Sequence, residues 1–183
     1  MSAPAASGPN ERVHHVVQGE YAILDDANVV LSTILGSCVA TCLYDPLARV
    51  GGMNHFLLPG EGAASGESMK YGVNAMELLI NGMLQRGATR NRLEAKLFGG
   101  AHVIDNLNDI GAQNAAFAER FLRMESIRVI ASSLGGVSAR RVRFWPATGR
   151  ASQLLLERAD VFREERRVPA PKPAAQAGSV ELF

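Results

Sequence analysis

The stretch Asp45-Pro46-Leu47-Ala48, set between two apolar runs, constrains this chain more than any other feature. Asp at the first position and Pro at the second suit a type I turn. The flanking runs, Val39–Tyr44 and Val50–Leu58, then read as the arms of an antiparallel hairpin. A hairpin centred there pairs residues whose numbers sum to 93, so Cys38 falls directly across from His55. Their Cβ atoms would lie about 4.5–5.5 Å apart on one face. A slip of one residue would send them to opposite faces. On the residues alone two readings stay open: an ordinary buried hairpin, or a thiol nucleophile beside its base.

The second reading has a definite chemistry. A free thiol titrates near pH 8.5, so about a few per cent is thiolate at pH 7. An adjacent imidazole favours the ion pair, lowers the thiol pKa and later protonates a leaving group. Gly36-Ser37 ahead of Cys38 makes a sharp turn whose N–H groups can face a developing oxyanion. A hydroxyl from Ser32 or Thr33 can orient the imidazole. These two are strand neighbours, so only one of them can point toward the site.

The first reading has its own support. Cysteine is among the most buried residue types, and a lone histidine is more often structural than functional. Cys42 reads as such a core thiol. A Cys38–Cys42 disulfide does not fit, because four residues of strand span about 13 Å. Cys38, Cys42, His55 and His102 do not match the paired spacings of zinc sites, so no metal is expected.

The rest of the chain is mixed. Two short strand-like runs flank Gly19 within Val13–Leu24, and Val29–Leu35 is a buried strand closed by Gly36. Ser68–Arg86 carries Tyr71, Ala75, Met76, Leu79, Ile80, Met83 and Leu84 on one helical face, with Ser68 as cap and Gly87 as terminator. Leu93–Phe98 is a strand entering Gly99-Gly100. Ala112–Met124 is a second helix, with Ala116, Phe117, Phe121 and Leu122 inward. Ile127–Ala131 is a strand, and Arg141–Trp145 with Ser152–Leu156 form a last hairpin. The expected class is α/β: a single-domain layered sandwich with mixed, largely antiparallel sheets and two main helices. That domain covers 13–165. Residues 1–12 read as a disordered arm and 166–183 as a flexible tail rich in Pro and Ala.

Lys plus Arg number 19 against 18 Asp plus Glu. That balance excludes a nucleic-acid or membrane footprint spread over the surface and leaves only a local basic cluster at Arg140, Arg141 and Arg143. No run approaches the roughly 20 apolar residues that span a bilayer, and the start lacks a signal-peptide pattern. With two free thiols, a cytoplasmic location is expected.

Five separated motifs then carry a resemblance. They are Leu35-Gly-Ser-Cys38-Val-Ala with Asp45-Pro46 and Gly51-Gly-Met-Asn-His55; Lys96-Leu-Phe-Gly-Gly-Ala101; Ile110-Gly-Ala-Gln-Asn114; Leu134-Gly-Gly136 with Ala139-Arg140; and Thr148-Gly149. In that order they resemble the chemoreceptor glutamine deamidase family, CheD, from about Gly19 to Leu156. The resemblance implies an amidohydrolase that converts glutamine side chains on the cytoplasmic helices of chemoreceptors to glutamate plus ammonia, without a cofactor. It implies Cys38 as nucleophile and His55 as base. The third residue is Ser32 by position or Thr33 by identity. Ser37 and Gly36 would serve the oxyanion, and Gly99, Gly100, Asn114 and Arg140 would touch substrate. Some relatives pair with a CheC-type phosphatase, so a non-catalytic adaptor is the alternative. The family's diglycine loop commonly continues Asn-Arg, where this chain has Val137-Ser138.

Overall fold

Alternation along the central strands sorts the chain into layers. A computed structural model describes residues 10–59, 65–103 and 109–157. Its elements are β1 (Arg12–His15), β2 (Tyr21–Leu24), β3 (Val29–Leu35), β4 (Val39–Asp45), β5 (Val50–Phe56), α1 (Ser65–Gln85), β6 (Glu94–Gly99), α2 (Ile110–Met124), β7 (Arg128–Leu134), β8 (Arg140–Trp145) and β9 (Arg150–Leu155). A short 3-10 turn spans Arg90–Arg92. One sheet runs β1-β3-β8-β9 and the other β2-β5-β4-β6-β7. β1 with β3 and β6 with β7 are parallel pairs; the remaining neighbours are antiparallel.

Along β4, Val39 and Leu43 join the core beneath the helices, while Ala40 and Cys42 join the core between the two sheets. β5 divides the same way, with Val50 and Phe56 under the helices and Met53 between the sheets. Met76, Leu79, Ile80 and Met83 of α1 and Phe117, Phe121 and Leu122 of α2 all pack on the five-stranded sheet. Each such side chain, fully buried, contributes about 1.5–3 kcal/mol. The result is helices, sheet and sheet in three layers, the layered α/β class expected. Neither helix among the described residues is long and apolar enough to cross a membrane.

Several expectations shift in detail. α1 begins at Ser65, so Ser68 lies within its first turn, and its hydroxyl donates to the Pro59 carbonyl at 2.6 Å. Ala116 is exposed and Ala118 packs inward in its place. Tyr71, placed on the inner face of α1, stays partly exposed. Glu11 and Arg12, assigned to the arm, belong to the fold. Glu11 accepts from Trp145 Nε1 at 2.5 Å and pairs with Arg143, while Arg12 opens β1 against Val29. Residues 1–9 of that arm and the tail at 166–183 lie outside the described residues.

The hairpin register also differs from the one expected. Asp45 pairs with Val50 and Ala40 with His55, so paired numbers sum to 95 rather than 93. The cause is the Asp45 carboxylate. Its Oδ1 accepts from the N–H groups of Leu47 and Ala48 at 2.9 and 3.1 Å, which keeps Asp45 in the strand and makes Pro46–Arg49 the loop. Arg49 closes that loop at φ 53°, its N–H donating to the Asp45 carbonyl at 2.8 Å. An even shift of two preserves the faces. Cys38 therefore sits beyond the end of the ladder instead of opposite His55.

Asp45 is buried and also binds the Thr89 N–H and the Arg92 guanidinium, each at 2.8 Å, tying the hairpin to the 3-10 turn. Burial alone would raise its pKa, but Arg92 and the Ala48, Thr89 and Leu47 N–H groups outweigh burial and hold the carboxyl at about 2. Its folded value lies below the ordinary 3.8. Its stabilisation is thus complete above about pH 4 and is lost as pH falls toward 2. Asp45→Ala is expected to cost about 3–5 kcal/mol in urea unfolding at pH 7, the range for breaking a buried ion pair. The same variant should lose part of the wild type's stability change between pH 4 and pH 2.

Candidate active site

The nucleophile candidate sits on a turn whose carbonyls are all held from behind. β3 ends at Leu35, Gly36-Ser37 bends, and β4 starts just after Cys38. The Gly36 carbonyl accepts from Ala101 N at 2.9 Å, the Ser37 carbonyl from Asn114 Nδ2 at 2.9 Å, and the Cys38 carbonyl from Gly100 N at 2.8 Å. In a trans peptide the C=O and the following N–H point opposite ways. The N–H groups of Ser37 and Cys38 are therefore turned away from that support, the orientation an oxyanion site requires.

His55 lies on the inter-sheet side of β5, alongside Met53 and opposite Ala40. Thr33 reaches it from β3 of the other sheet, with Oγ1 2.8 Å from His55 Nδ1. The Thr33 hydroxyl donates its proton to the Val16 carbonyl at 2.7 Å, so Oγ1 can only accept from the ring. Val16 O also lies 3.3 Å from Nδ1. Both neighbours require the proton on Nδ1, which leaves Nε2 as the basic nitrogen. Nε2 is buried and has no hydrogen-bond partner among the described residues. Burial lowers the imidazole pKa below its ordinary value, against the opposing pull of the Val16 carbonyl.

Cys38 is partly buried and packs on the same inter-sheet core that includes Ala40 and Met53, which sets it on the His55 side of the sheet. Its thiol donates to Gln18 Oε1 at 3.5 Å. Burial pushes the Cys38 thiol up to about 11. The preformed thiolate–imidazolium pair expected from the sequence is thus disfavoured at rest, because desolvation moves both groups toward their neutral forms. Cys42 is a buried free thiol, as expected, and burial drives its pKa up further. Among the described residues no three His, Cys, Asp or Glu side chains gather as a metal-holding group.

The comparisons with known proteins bear on this geometry. A family profile described as "CheD chemotactic sensory transduction" matches residues 57–153. A Caulobacter vibrioides protein named "Probable chemoreceptor glutamine deamidase CheD" is 57% identical over 172 residues, covering 92% of each chain. An Agrobacterium fabrum protein of the same name is 55% identical over 92% of this chain and 95% of its own. The chain belongs to the CheD family. A solved structure of the Neisseria meningitidis protein NMB0706 is loosely similar, with TM-score 0.47 and 11% identity over 79% of this chain and 74% of that one.

Within this CheD chain the other sequence candidates fall behind the site. Thr33, not Ser32, meets the imidazole. Leu31 and Leu35 share the face of Thr33 and enter the inter-sheet core, so Ser32 points to the opposite side of β3. Asn114 is fully buried with both amide ends used, donating to Ser37 O and accepting from Leu58 N at 2.9 Å. It clamps the turn and is closed to substrate. Gly99 and Gly100 are backing as well. Gly99 has φ 112°, and a Cβ there would come within 2.1 Å of the Cys38 carbonyl oxygen. Arg140 is buried, with its guanidinium on Ser133 O at 2.5 Å and on Gly135 O, so it holds the diglycine loop. The expected basic cluster also dissolves, since Arg143 pairs with Glu11 beside the Trp145 ring.

Two contributors were missed in the sequence, the Val16 carbonyl and Gln18. Backbone carbonyls leave no residue-type signal, and Gln18 is marked only by the Gln18-Gly19 turn dipeptide. The neutral resting thiol has a measurable signature. Alkylation of Cys38 by iodoacetamide should accelerate about tenfold per pH unit from pH 7 to pH 10. A rate already level at neutral pH would indicate a preformed ion pair.

Proposed function

We propose that this protein hydrolyses the side-chain amide of glutamines on chemoreceptors, giving glutamate and ammonia through a Cys38 thioester. The observation that carries the reading is the His55 imidazole: Thr33 and Val16 fix its Nδ1–H, and its Nε2, without a partner among the described residues, lies on the same side of the sheet as Cys38. His55 Nε2 takes the thiol proton as the sulfur attacks the amide carbon. The N–H groups of Ser37 and Cys38 hold the resulting oxyanion. Protonated His55 donates to the nitrogen, the C–N bond breaks, and ammonia leaves a thioester. His55 then deprotonates water, which attacks the thioester and restores the thiol. The roles of Cys38, His55 and Thr33 belong to this proposal, as does the cytoplasmic location that its substrate requires.

Incubating a receptor cytoplasmic fragment with the protein should add about one dalton per converted glutamine, and Cys38→Ala should abolish the gain. An unchanged gain in that variant would refute the nucleophile. The rival reading, a non-catalytic adaptor for a CheC-type phosphatase or for receptors, requires no gain with the wild type. Thr33→Val is expected to lower kcat about ten- to a hundredfold, the cost of losing one buried hydrogen bond worth about 1–3 kcal/mol. Ser32→Ala should leave kcat within about twofold, as its side chain lies on the far face.

A further inference from the structure

The contact between Cys38 and Gln18 sets a glutamine of the chain itself against the sulfur proposed to attack glutamines. We infer that Gln18 is an intrachain stand-in for the substrate: its carboxamide fills the subsite that a receptor glutamine must occupy and is displaced by it. The inference rests on the proposed deamidase reading and names how that site is kept closed.

The placement is built by the backbone. Val17–Glu20 form a turn closed by Glu20 N donating to Val17 O at 3.0 Å, with Gln18 at its second position. Gly19 holds φ 88° at the third, as a type II turn requires. Three further bonds lock the turn to the site: Val16 N to Ser32 O at 2.9 Å, Gly19 N to the carbonyl of His55 at 2.8 Å, and His55 N to Glu20 O at 3.0 Å. The turn that presents Gln18 is thus bonded to the backbone of the candidate base. The Gln18 residue itself is exposed, so its side chain can swing away without disturbing those bonds.

The pose also accounts for why Gln18 acts as competitor and not as substrate. Its Oε1 accepts the S–H proton. In a productive complex the amide oxygen must instead point at the Ser37 and Cys38 N–H groups, and the thiol proton must pass to His55. An intramolecular competitor acts at high effective concentration and lowers the apparent affinity for an incoming ligand by the fraction of time it occupies the site.

The test compares wild type, Gln18→Ala and Gln18→Asn, the last keeping a carboxamide too short to reach the sulfur. Both variants should speed alkylation of Cys38 by iodoacetamide at pH 8 by about two- to tenfold, the range for one net hydrogen bond. Both should lower KM for a receptor cytoplasmic fragment by a similar factor with kcat unchanged. Unchanged or slower alkylation in both variants overturns the inference, as does a raised KM, which would make Gln18 a substrate-holding residue. Cys38-dependent conversion of Gln18 to glutamate in the wild type, read by peptide mass spectrometry, overturns it too. The alkylation arm needs no receptor, so absence of receptor deamidation would sink the enzymatic reading and leave this contact decided on its own. Cys42 serves as internal control: if Gln18→Ala labels it, the fold has loosened and Gln18→Asn decides.

Discussion

One backbone carbonyl, that of Val16, governs the chemistry of the site. It can only accept, and it takes the Thr33 hydroxyl proton while lying within reach of His55 Nδ1. The proton on the imidazole is thereby confined to one nitrogen, and the other is left as a base. No carboxylate is needed to fix the tautomer; a neutral hydroxyl suffices because its own hydrogen is already committed. Such an orienter adds no negative charge to the imidazolium's surroundings, so it fixes direction while raising basicity less than a carboxylate would. The carbonyl is held by the segment that leaves β1, whose next anchor is the Val16 N–H on Ser32 O. Pairing of the N-terminal strand, which looks peripheral in the topology, therefore reaches into the site.

A thiol near pKa 11 on the same side of the sheet as an imidazole of lowered basicity makes a quiet resting site. Thiolate character governs both alkylation and oxidation, so a protonated, half-buried sulfur resists both. In the proposed mechanism activation then falls to the moment of attack, when the proton moves to Nε2 and the developing charge meets backbone N–H groups. A nucleophile of that kind gains little from a permanent ion pair and much from geometry, which the turn that carries it supplies.

The fold was legible where periodicity and turn chemistry agreed. The layered α/β class, both helices and both hairpins follow from alternating apolar residues and from Asp-Pro and Pro-Ala-Thr-Gly loops. The register failed by two because Asp45 acts through its side chain: its carboxylate captures the Leu47 and Ala48 N–H groups and lengthens the loop. The error was harmless to function only because two is even. A shift of one would have turned His55 toward the helices and away from Thr33. Ser32 against Thr33 shows the same parity rule with the opposite outcome. The family resemblance favours Ser32 by position, yet Leu31 and Leu35 fix which face of β3 looks between the sheets, and that face is the one with Thr33.

The residues read as substrate contacts share a structural role. Asn114, Gly99, Gly100 and Arg140 are polar or small residues at special backbone positions, the same types that line binding sites. Here each serves a carbonyl or makes room for one. Asn114 and Gly100 hold the carbonyls of Ser37 and Cys38, and Arg140 holds those of Ser133 and Gly135. The Gly135 N–H in turn donates to Gly99 O at 2.9 Å, so the two diglycine loops and the Cys38 turn form one continuous set of backbone bonds. A turn with its carbonyls so occupied cannot rotate its peptide planes without leaving buried acceptors unpaired, at a cost of about 1–3 kcal/mol each. The N–H groups on the other side of those planes are therefore held in place before any substrate arrives. Preorganisation of the proposed oxyanion side is thus a consequence of satisfaction on the buried side, and the motif residues around Cys38 serve as its foundation.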